Sequence, residues 1–151
     1  AFTTDDGEVE EYIDFTGIES TFFDNSAKFT SMTTPVELGM NEKLDSVLSK
    51  IQPGLKLERT YWLAHGPHFE TPSEIDAIEK LGGEVVGMTM PRECKLAAEL
   101  GIPYAAILVS SNWAAGREPG DSGKELAHEE VALAAESKLG PVIECIKALT
   151  Q

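Results

Sequence analysis

Apolar residues recur at helical spacing in four parts of the chain. The spacing is clear over residues 40–51, and a Gln-Pro-Gly run then ends that helix. Residues 72–81 and 91–100 follow the same pattern, and each is followed by glycine. One long helix is predicted over residues 122–149, with Gly140-Pro141 as the point where it can break.

Strand-like runs separate these helices. Residues 11–15, 59–65 and 84–88 are short and bounded by turn residues, whereas residues 104–111 are continuously apolar, as in a strand buried on both faces. Strands that alternate with helices predict an α/β fold with a mixed, mainly parallel sheet flanked by helices.

The first part of the chain has a different character. Residues 1–11 are acidic and polar and are expected to be loose, and residues 17–32 are expected to form an irregular loop. We therefore interpret the chain as one domain with a loop-rich first segment, residues 1–34, and an α/β core, residues 35–151.

Three polar segments follow predicted strands. They are residues 66–70, Met88-Thr89 and residues 110–112. Ligands of parallel α/β sheets bind beyond the carboxyl ends of the strands, so the three segments are expected to converge on one small-molecule site.

Charge limits the partners of this protein. The 151 residues carry 12 Lys and Arg against 26 Asp and Glu, a formal net charge of −14. Nucleic acids and anionic membranes require a basic surface, so neither is expected as a partner. The acidic start lacks the features of a secretory signal, and Cys94 and Cys145 are predicted to be buried free thiols, which favours the cytoplasm.

The residue types at the strand ends permit two interpretations each. Phe69 can stack on a flat ring and Glu70 can accept N–H bonds from its edge, or Glu70 can simply favour a helix N-terminus. Thr89 can bind an anion or cap the next helix, and Asn112 can act as donor and acceptor or as a turn residue. The spacing of His65 and His68 does not fit a metal site, so no metal is expected.

Four motifs together resemble the purine nucleoside phosphorylase and methylthioadenosine phosphorylase family. Residues 66–74, GPHFETPSE, are similar to the family's GPxFETxxE, and residues 80–89, KLGGEVVGMT, follow in the right order. Residues 111–116, SNWAAG, are similar to TNxAAG, and residues 128–131, HEEV, close the series. Members of the family are longer, so the chain resembles the C-terminal half of the family fold.

The resemblance implies a purine site. Phe69 would stack near the purine, Glu70 would bind the N1–H edge, and Asn112 would hydrogen-bond N7 and O6 with Ser111 beside it. Glu70 and Asn112 are therefore the expected catalytic residues. Family members that act on adenosine carry Asp at the position of Asn112, so this chain is expected to prefer 6-oxopurine nucleosides.

The resemblance also implies sugar and phosphate contacts. Met88 would pack on the ribose, Thr89 would contact phosphate, His128 would bind the ribose 5′-hydroxyl, and Val131 would line the same region. The reaction needs no cofactor, because inorganic phosphate is the co-substrate.

The expected function is phosphorolysis of inosine or guanosine to the free base and ribose 1-phosphate. Phosphorolysis of methylthioadenosine or methylthioinosine is one alternative, and a non-catalytic nucleoside-binding fragment that lacks the N-terminal phosphate site is another. The expected partners are the N-terminal half of the same enzyme and further copies in a homotrimer. Residues 22–24, Phe-Phe-Asp, are the candidate loop that reaches the neighbouring subunit.

Overall fold

The computed structural model describes residues 5–150 and contains a four-stranded sheet with helices on both faces. The strands are β1, β2, β3 and β4, which span Gly7–Asp14, Glu58–Leu63, Val85–Gly87 and Ile107–Leu108. The helices are α1, α2, α3, α4 and α5, which span Leu38–Ile51, Pro72–Lys80, Met90–Leu100, His128–Glu136 and Leu139–Leu149. The strand order is β3-β2-β1-β4, in which β1, β2 and β3 are parallel and β4 is antiparallel to β1. The predicted mixed, mainly parallel sheet is confirmed.

Alternation along β2 sends side chains to both layers of helices. Tyr61 and Leu63 are buried in one core cluster with Val85, and α3 contributes Met90 and Cys94 to that cluster. Trp62 lies on the opposite face, where it packs with Val86 against Ile75 and Ile78 of α2. The sheet is therefore covered by a helix on each face at its β2–β3 side.

Helix α2 begins where the sequence specifies it. Thr71 is the N-cap, its hydroxyl accepts from the Glu74 backbone N–H, and the Glu74 carboxylate accepts from the Thr71 backbone N–H at 2.7 Å. Pro72 occupies the first helical position, where its missing N–H has no consequence. This reciprocal capping fixes the segment that precedes the helix.

The expectation of a loose first segment is wrong for residues 7–11. They form the first half of β1, which lies between β2 and β4 inside the sheet. Their acidic composition hides the strand, because Glu8 and Val9 are buried while Glu10 and Glu11 are exposed. Residues 1–4 lie outside the described residues. Residues 15–37 contain no helix or strand, as predicted for most of that loop.

The predicted strand over residues 104–111 is also wrong in length and direction. Only Ile107 and Leu108 pair with β1, and they do so in antiparallel register. The chain therefore leaves β4 at the amino-terminal end of β1, where the Ser110 backbone N–H donates to the Asp6 carboxylate at 3.0 Å. The third polar segment therefore does not follow the carboxyl end of a parallel strand, and it shares a cavity with Thr89 but not with residues 66–70.

The C-terminal helix is divided, but not at the predicted place. Helix α4 begins at His128, and Ser137 and Lys138 separate it from α5. Gly140 and Pro141 fall in the first turn of α5, where proline is compatible with a helix. Helix α5 then packs along α1 and buries Cys145 beside Leu44 and Leu48.

Both cysteines are free and buried, as predicted. Burial raises the pKa of the Cys94 and Cys145 thiols, so both stay protonated near neutral pH. No helix within residues 5–150 is long and apolar enough to cross a membrane.

Candidate functional site

A cleft of about 610 Å³ lies beyond the carboxyl end of β2, and we call it the β2 cleft. Its walls come from the segment after β1, the segment after β2, and one side of α2. The residues that matter for its chemistry are Phe15, Trp62, Phe69, Glu70, Ile78 and Leu81. The volume lies within the range of small-molecule sites, and the walls are mainly apolar and aromatic.

Phe69 and Glu70 reach the β2 cleft because of a turn after β2. Gly66 has a φ of +65° and precedes a cis peptide bond to Pro67, so the chain reverses sharply. Thr71, four residues after Pro67, caps α2, which leaves Phe69 and Glu70 on the short connection between turn and helix.

The two carboxylates near this connection have different tasks. Hydrogen bonds from the Thr71 backbone N–H and hydroxyl hold the Glu74 carboxylate and lower its pKa. Glu70 makes no side-chain hydrogen bond or ion pair to another residue in the described part of the chain, and its carboxylate lines the β2 cleft. Of the two, Glu70 is the one available to accept from a ligand.

Met88 lies beside the β2 cleft, and Thr89 lines a second cavity. The Met88 side chain lies against Gly66, so closely that a side-chain carbon on Gly66 would overlap its methyl group. Thr89 is the N-cap of α3 but makes no side-chain capping bond, and its backbone N–H donates to the Tyr61 hydroxyl at 3.5 Å. The alternative interpretation of Thr89 as a capping hydroxyl is therefore not realised.

The second cavity, of about 410 Å³, contains Thr89 together with Ser111 and Asn112. Its other walls are Tyr61, the β3 residues Val85 and Val86, and the chain on either side of β4. Thr89 at a helix N-terminus and Asn112 thus line the same space together with the acidic residues Asp5 and Glu93, a combination that suits a polar ligand.

Asn112 is bonded within its own segment. Its amide nitrogen donates to the Trp113 carbonyl at 2.8 Å, and its carbonyl oxygen accepts from the Ser111 hydroxyl at 3.0 Å. The segment then runs along α2, where Ala114 packs on Ile75 and Ile78. Asn112 lines the second cavity and does not line the β2 cleft.

Val131 shares a third cavity, of about 280 Å³, with Ser111 and Asn112. His128 is exposed at the first turn of α4, one turn before Val131, and is not part of that wall. Six of the eight predicted site residues therefore line three cavities, and Met88 and His128 line none of the three. Phe69 and Glu70 are together, Thr89 is with Ser111 and Asn112, and Val131 adjoins those two.

No group of three or more His, Cys, Asp or Glu side chains within residues 5–150 is arranged to hold a metal ion. The chemistry of these cavities rests on aromatic faces, amides, hydroxyls and single carboxylates.

Comparison with known proteins identifies the family. The sequence model described as the phosphorylase superfamily matches residues 9–149. The chain belongs to the phosphorylase superfamily.

Two superfamily relatives show how much of a relative's length this chain spans. A probable S-methyl-5'-thioinosine phosphorylase of Methanothermobacter thermautotrophicus is 35% identical over 139 residues, which cover 91% of this chain and 46% of that protein. The 6-oxopurine nucleoside phosphorylase of Pyrococcus furiosus is 44% identical over 89 residues, 59% of this chain and 32% of that protein. The chain spans about half the length of such relatives or less.

Solved structures of the superfamily share the fold. The methylthioadenosine phosphorylase of Schistosoma mansoni, in complex with adenine, has a TM-score of 0.80 at 20% identity, covering 97% of this chain and 59% of that one. A schistosoma purine nucleoside phosphorylase in complex with hypoxanthine has a TM-score of 0.77 at 18% identity, covering 97% and 55%. The predicted nucleoside phosphorylase fold is thus confirmed.

The sequence analysis missed Phe15 and Trp62. Their rings form an edge-to-face pair with centroids 5.4 Å apart, and both line the β2 cleft. A signal was present, because aromatic side chains at corresponding ends of parallel strands become neighbours once the strands pair. That pairing was not predicted, since β1 was placed too late in the chain.

Proposed function

We propose that this chain is the base-binding part of a purine nucleoside phosphorylase that cleaves 6-oxopurine nucleosides to the free base and ribose 1-phosphate. The observation that carries the proposal is the β2 cleft, where Phe69 and the unengaged carboxylate of Glu70 lie beyond the carboxyl end of a parallel strand. The names of the relatives, which include 6-oxopurine nucleoside phosphorylases, support it.

The chemistry requires donors near the base and an anion site near the sugar. Phosphate attacks C1′ of the ribose, the bond from C1′ to N9 breaks, and the purine leaves with negative charge. Glu70 holds the N1–H edge, and Asn112 donates to N7 and O6, where that charge develops. Because Asn112 lines the second cavity and not the β2 cleft, it must also move toward Glu70 and exchange its bonds to Ser111 and Trp113 for bonds to the base.

The remaining site residues take the sugar and the phosphate. We assign Met88 to the ribose face, Thr89 to phosphate, and His128 and Val131 to the 5′ end of the nucleoside. Thr89 is suited to phosphate because its hydroxyl is not used for capping at the N-terminus of α3. Inorganic phosphate is the co-substrate, and no further cofactor is required.

Base selection follows from the amide of Asn112. A 6-oxopurine presents acceptors at O6 and N7, to which the amide can donate, whereas a 6-aminopurine presents a donor at position six. A polar group left unpaired in a closed site costs about 1–3 kcal/mol, which is enough to discriminate.

A methylthioinosine phosphorylase is the second candidate function. The relative from Methanothermobacter thermautotrophicus carries that name, and methylthioinosine has the same 6-oxopurine base. The exposed position of His128 favours neither 5′ group. The third candidate is a nucleoside-binding fragment without turnover.

The proposed partners are the part of the family fold that the chain does not match and two further copies in a homotrimer, with the cytoplasm as location. Residues 22–24 are the proposed contact to the next subunit. The Glu99 carboxylate at the end of α3 holds this loop by accepting from the Phe22 backbone N–H at 2.8 Å, and it leaves the Phe22 ring exposed.

The deciding experiment measures hypoxanthine release from inosine with and without phosphate. The chain is assayed alone and mixed with the part of the Pyrococcus furiosus relative that it does not cover. Release in the mixture that requires phosphate is the expected result, and methylthioinosine is assayed in parallel to separate the two substrates. Release without phosphate would identify a nucleosidase, and no release in any mixture would leave only nucleoside binding.

A further inference from the structure

Two aromatic residues outside the family motifs, Phe15 and Trp62, form part of the wall of the β2 cleft. Ile13 pairs with Trp62 in parallel register, and Phe15 lies two residues further on, so alternation brings both rings to the same face of the sheet. Their planes meet at 79°, which is the edge-to-face geometry that aromatic pairs prefer.

Phe15 is 72% exposed although it is apolar and ordered by this contact. Phe69 and Leu81 are also exposed, and both line the same cleft. Large apolar side chains that stay exposed around one concave space mark a surface that a ligand covers.

Polar residues line the same cleft. Glu70 carries the available carboxylate, and His65 and His68 lie on the same segment after β2. A flat heteroaromatic ring fits both the aromatic wall and the Glu70 carboxylate. Its faces can pack on the aromatic side chains while its N–H edge donates to the carboxylate.

We propose that Phe15 and Trp62 determine specificity for the purine ring and form, with Phe69, the aromatic lining against which it packs. The inference rests on the proposed function and adds to it that the ring and its polar edge are recognised by different residues. The aromatic lining selects for ring area, and thus for a bicyclic purine over a pyrimidine, whereas Glu70 of the same cleft binds the polar edge of the ring. Phe15 should therefore affect all purines equally.

The test compares calorimetric binding of hypoxanthine with tryptophan fluorescence, corrected for absorption by the ligand. The chain contains two tryptophans, of which only Trp62 lines the β2 cleft. Hypoxanthine should quench the emission of the unmodified chain, and most of that quenching should disappear in Trp62→Phe, which still binds the ligand.

Phe15→Leu should weaken the binding of hypoxanthine and of adenine by the same factor, about two- to tenfold, because an aromatic contact is lost without any change in polar groups. The matched control is Phe29→Leu, which makes the same change at a side chain that is 96% exposed outside the cleft. Binding by this control should be unchanged.

The two proposals fail in different ways. The aromatic lining is overturned if hypoxanthine binds, its quenching persists in Trp62→Phe, and Phe15→Leu leaves its affinity unchanged. That result leaves the phosphorylase proposal intact. Absence of hypoxanthine binding overturns the lining, while phosphorolysis in the reconstituted mixture decides the enzyme proposal by itself.

Discussion

Glu8 carries an ionisable carboxyl group but lies buried in the fold. It is 3% exposed on β1, and one of its carboxylate oxygens has no hydrogen-bond partner among the described residues. Burial is the main cause that raises its pKa to about 7, and the nearby carboxylates of Asp45, Glu58 and Glu10 add to it. Cys145 of α5 faces it as well. The folded protein therefore holds a carboxyl group that resists ionisation.

The stability of the protein should fall as the pH rises through the range in which the Glu8 carboxyl group ionises. The unfolded chain ionises Glu8 near its ordinary pKa of 4.5, whereas the folded chain does so only near 7. Stability from the neutral carboxyl is thus complete below about pH 4.5 and is lost as the pH rises past about 7. Glu8→Gln should be more stable than the unmodified chain by roughly 1–3 kcal/mol at about pH 8, with a smaller gain at about pH 5.

Urea unfolding at the two pH values measures this difference. Glu11→Gln is the control, because it makes the same change on the exposed part of the same strand. A gain from Glu8→Gln that is equal at both pH values would mean that ionisation of Glu8 is not its cause.

Asn112 is the residue at which base preference should change. In the mixture that supports phosphorolysis, Asn112→Asp should lower kcat/KM for inosine at least about tenfold and raise it for adenosine, because a carboxylate accepts where the amide donates. Asn25→Asp adds the same charge in the exposed loop and should change neither value. Equal losses for both nucleosides would assign Asn112 a structural role instead.

At the scale of elements, the contact between β2 and β3 depends on Gly87. A side-chain carbon at this position would overlap the Tyr61 hydroxyl and lie 2.7 Å from the ring carbon Cζ. Tyr61 is buried in the core beneath α3, so its ring has to shift to admit the added carbon. The absence of a side chain at the end of β3 is therefore what allows the Tyr61 ring to cross it.

Gly87→Ala should lower the free energy of unfolding by roughly 1–3 kcal/mol, the usual cost of forcing extra volume into a packed core. Gly140→Ala is a matched control, since no atom lies within 4 Å of its added carbon and the position is in a helix. That variant should be neutral or slightly more stable, because alanine favours helices over glycine. Thermal and urea unfolding measure both, and equal effects would show that Tyr61 adapts to the added carbon.

At the scale of the whole molecule, the net charge of −14 opposes compactness. Ion pairs such as Arg117 with Asp76 and Glu79 offset little of it, because they are exposed and cations are fewer than half as many as anions. Repulsion among carboxylates should thus outweigh the attraction within ion pairs, so that added salt, which screens both, increases the stability of the fold.

Raising sodium chloride from about 10 mM to about 100 mM shortens the screening length from about 30 Å to about 10 Å. The free energy of unfolding should rise over this range at neutral pH. The measurement is urea unfolding at each salt concentration, with potassium chloride as the control for ion-specific effects. A fall in stability would mean that the ion pairs dominate.

The sequence by itself determined the features that depend on neighbours along the chain. Helical periodicity, the Thr71–Glu74 capping pair and the glycine after α3 act within a few residues, so helices α1, α2 and α3 were predicted close to their observed bounds. The same holds for the placement of Phe69 and Glu70 between a turn and a helix start. The purine-binding role of these two residues remains a prediction.

Only the tertiary structure decided which distant segments pair and what they bury. The acidic residues of β1 form a strand because β2 and β4 supply hydrogen bonds on its two sides. The antiparallel direction of β4, the Phe15–Trp62 contact and the burial of Glu8 all follow from that arrangement. Such features depend on contacts between residues far apart in the chain, and local spacing carries no information about the direction or partner of a strand.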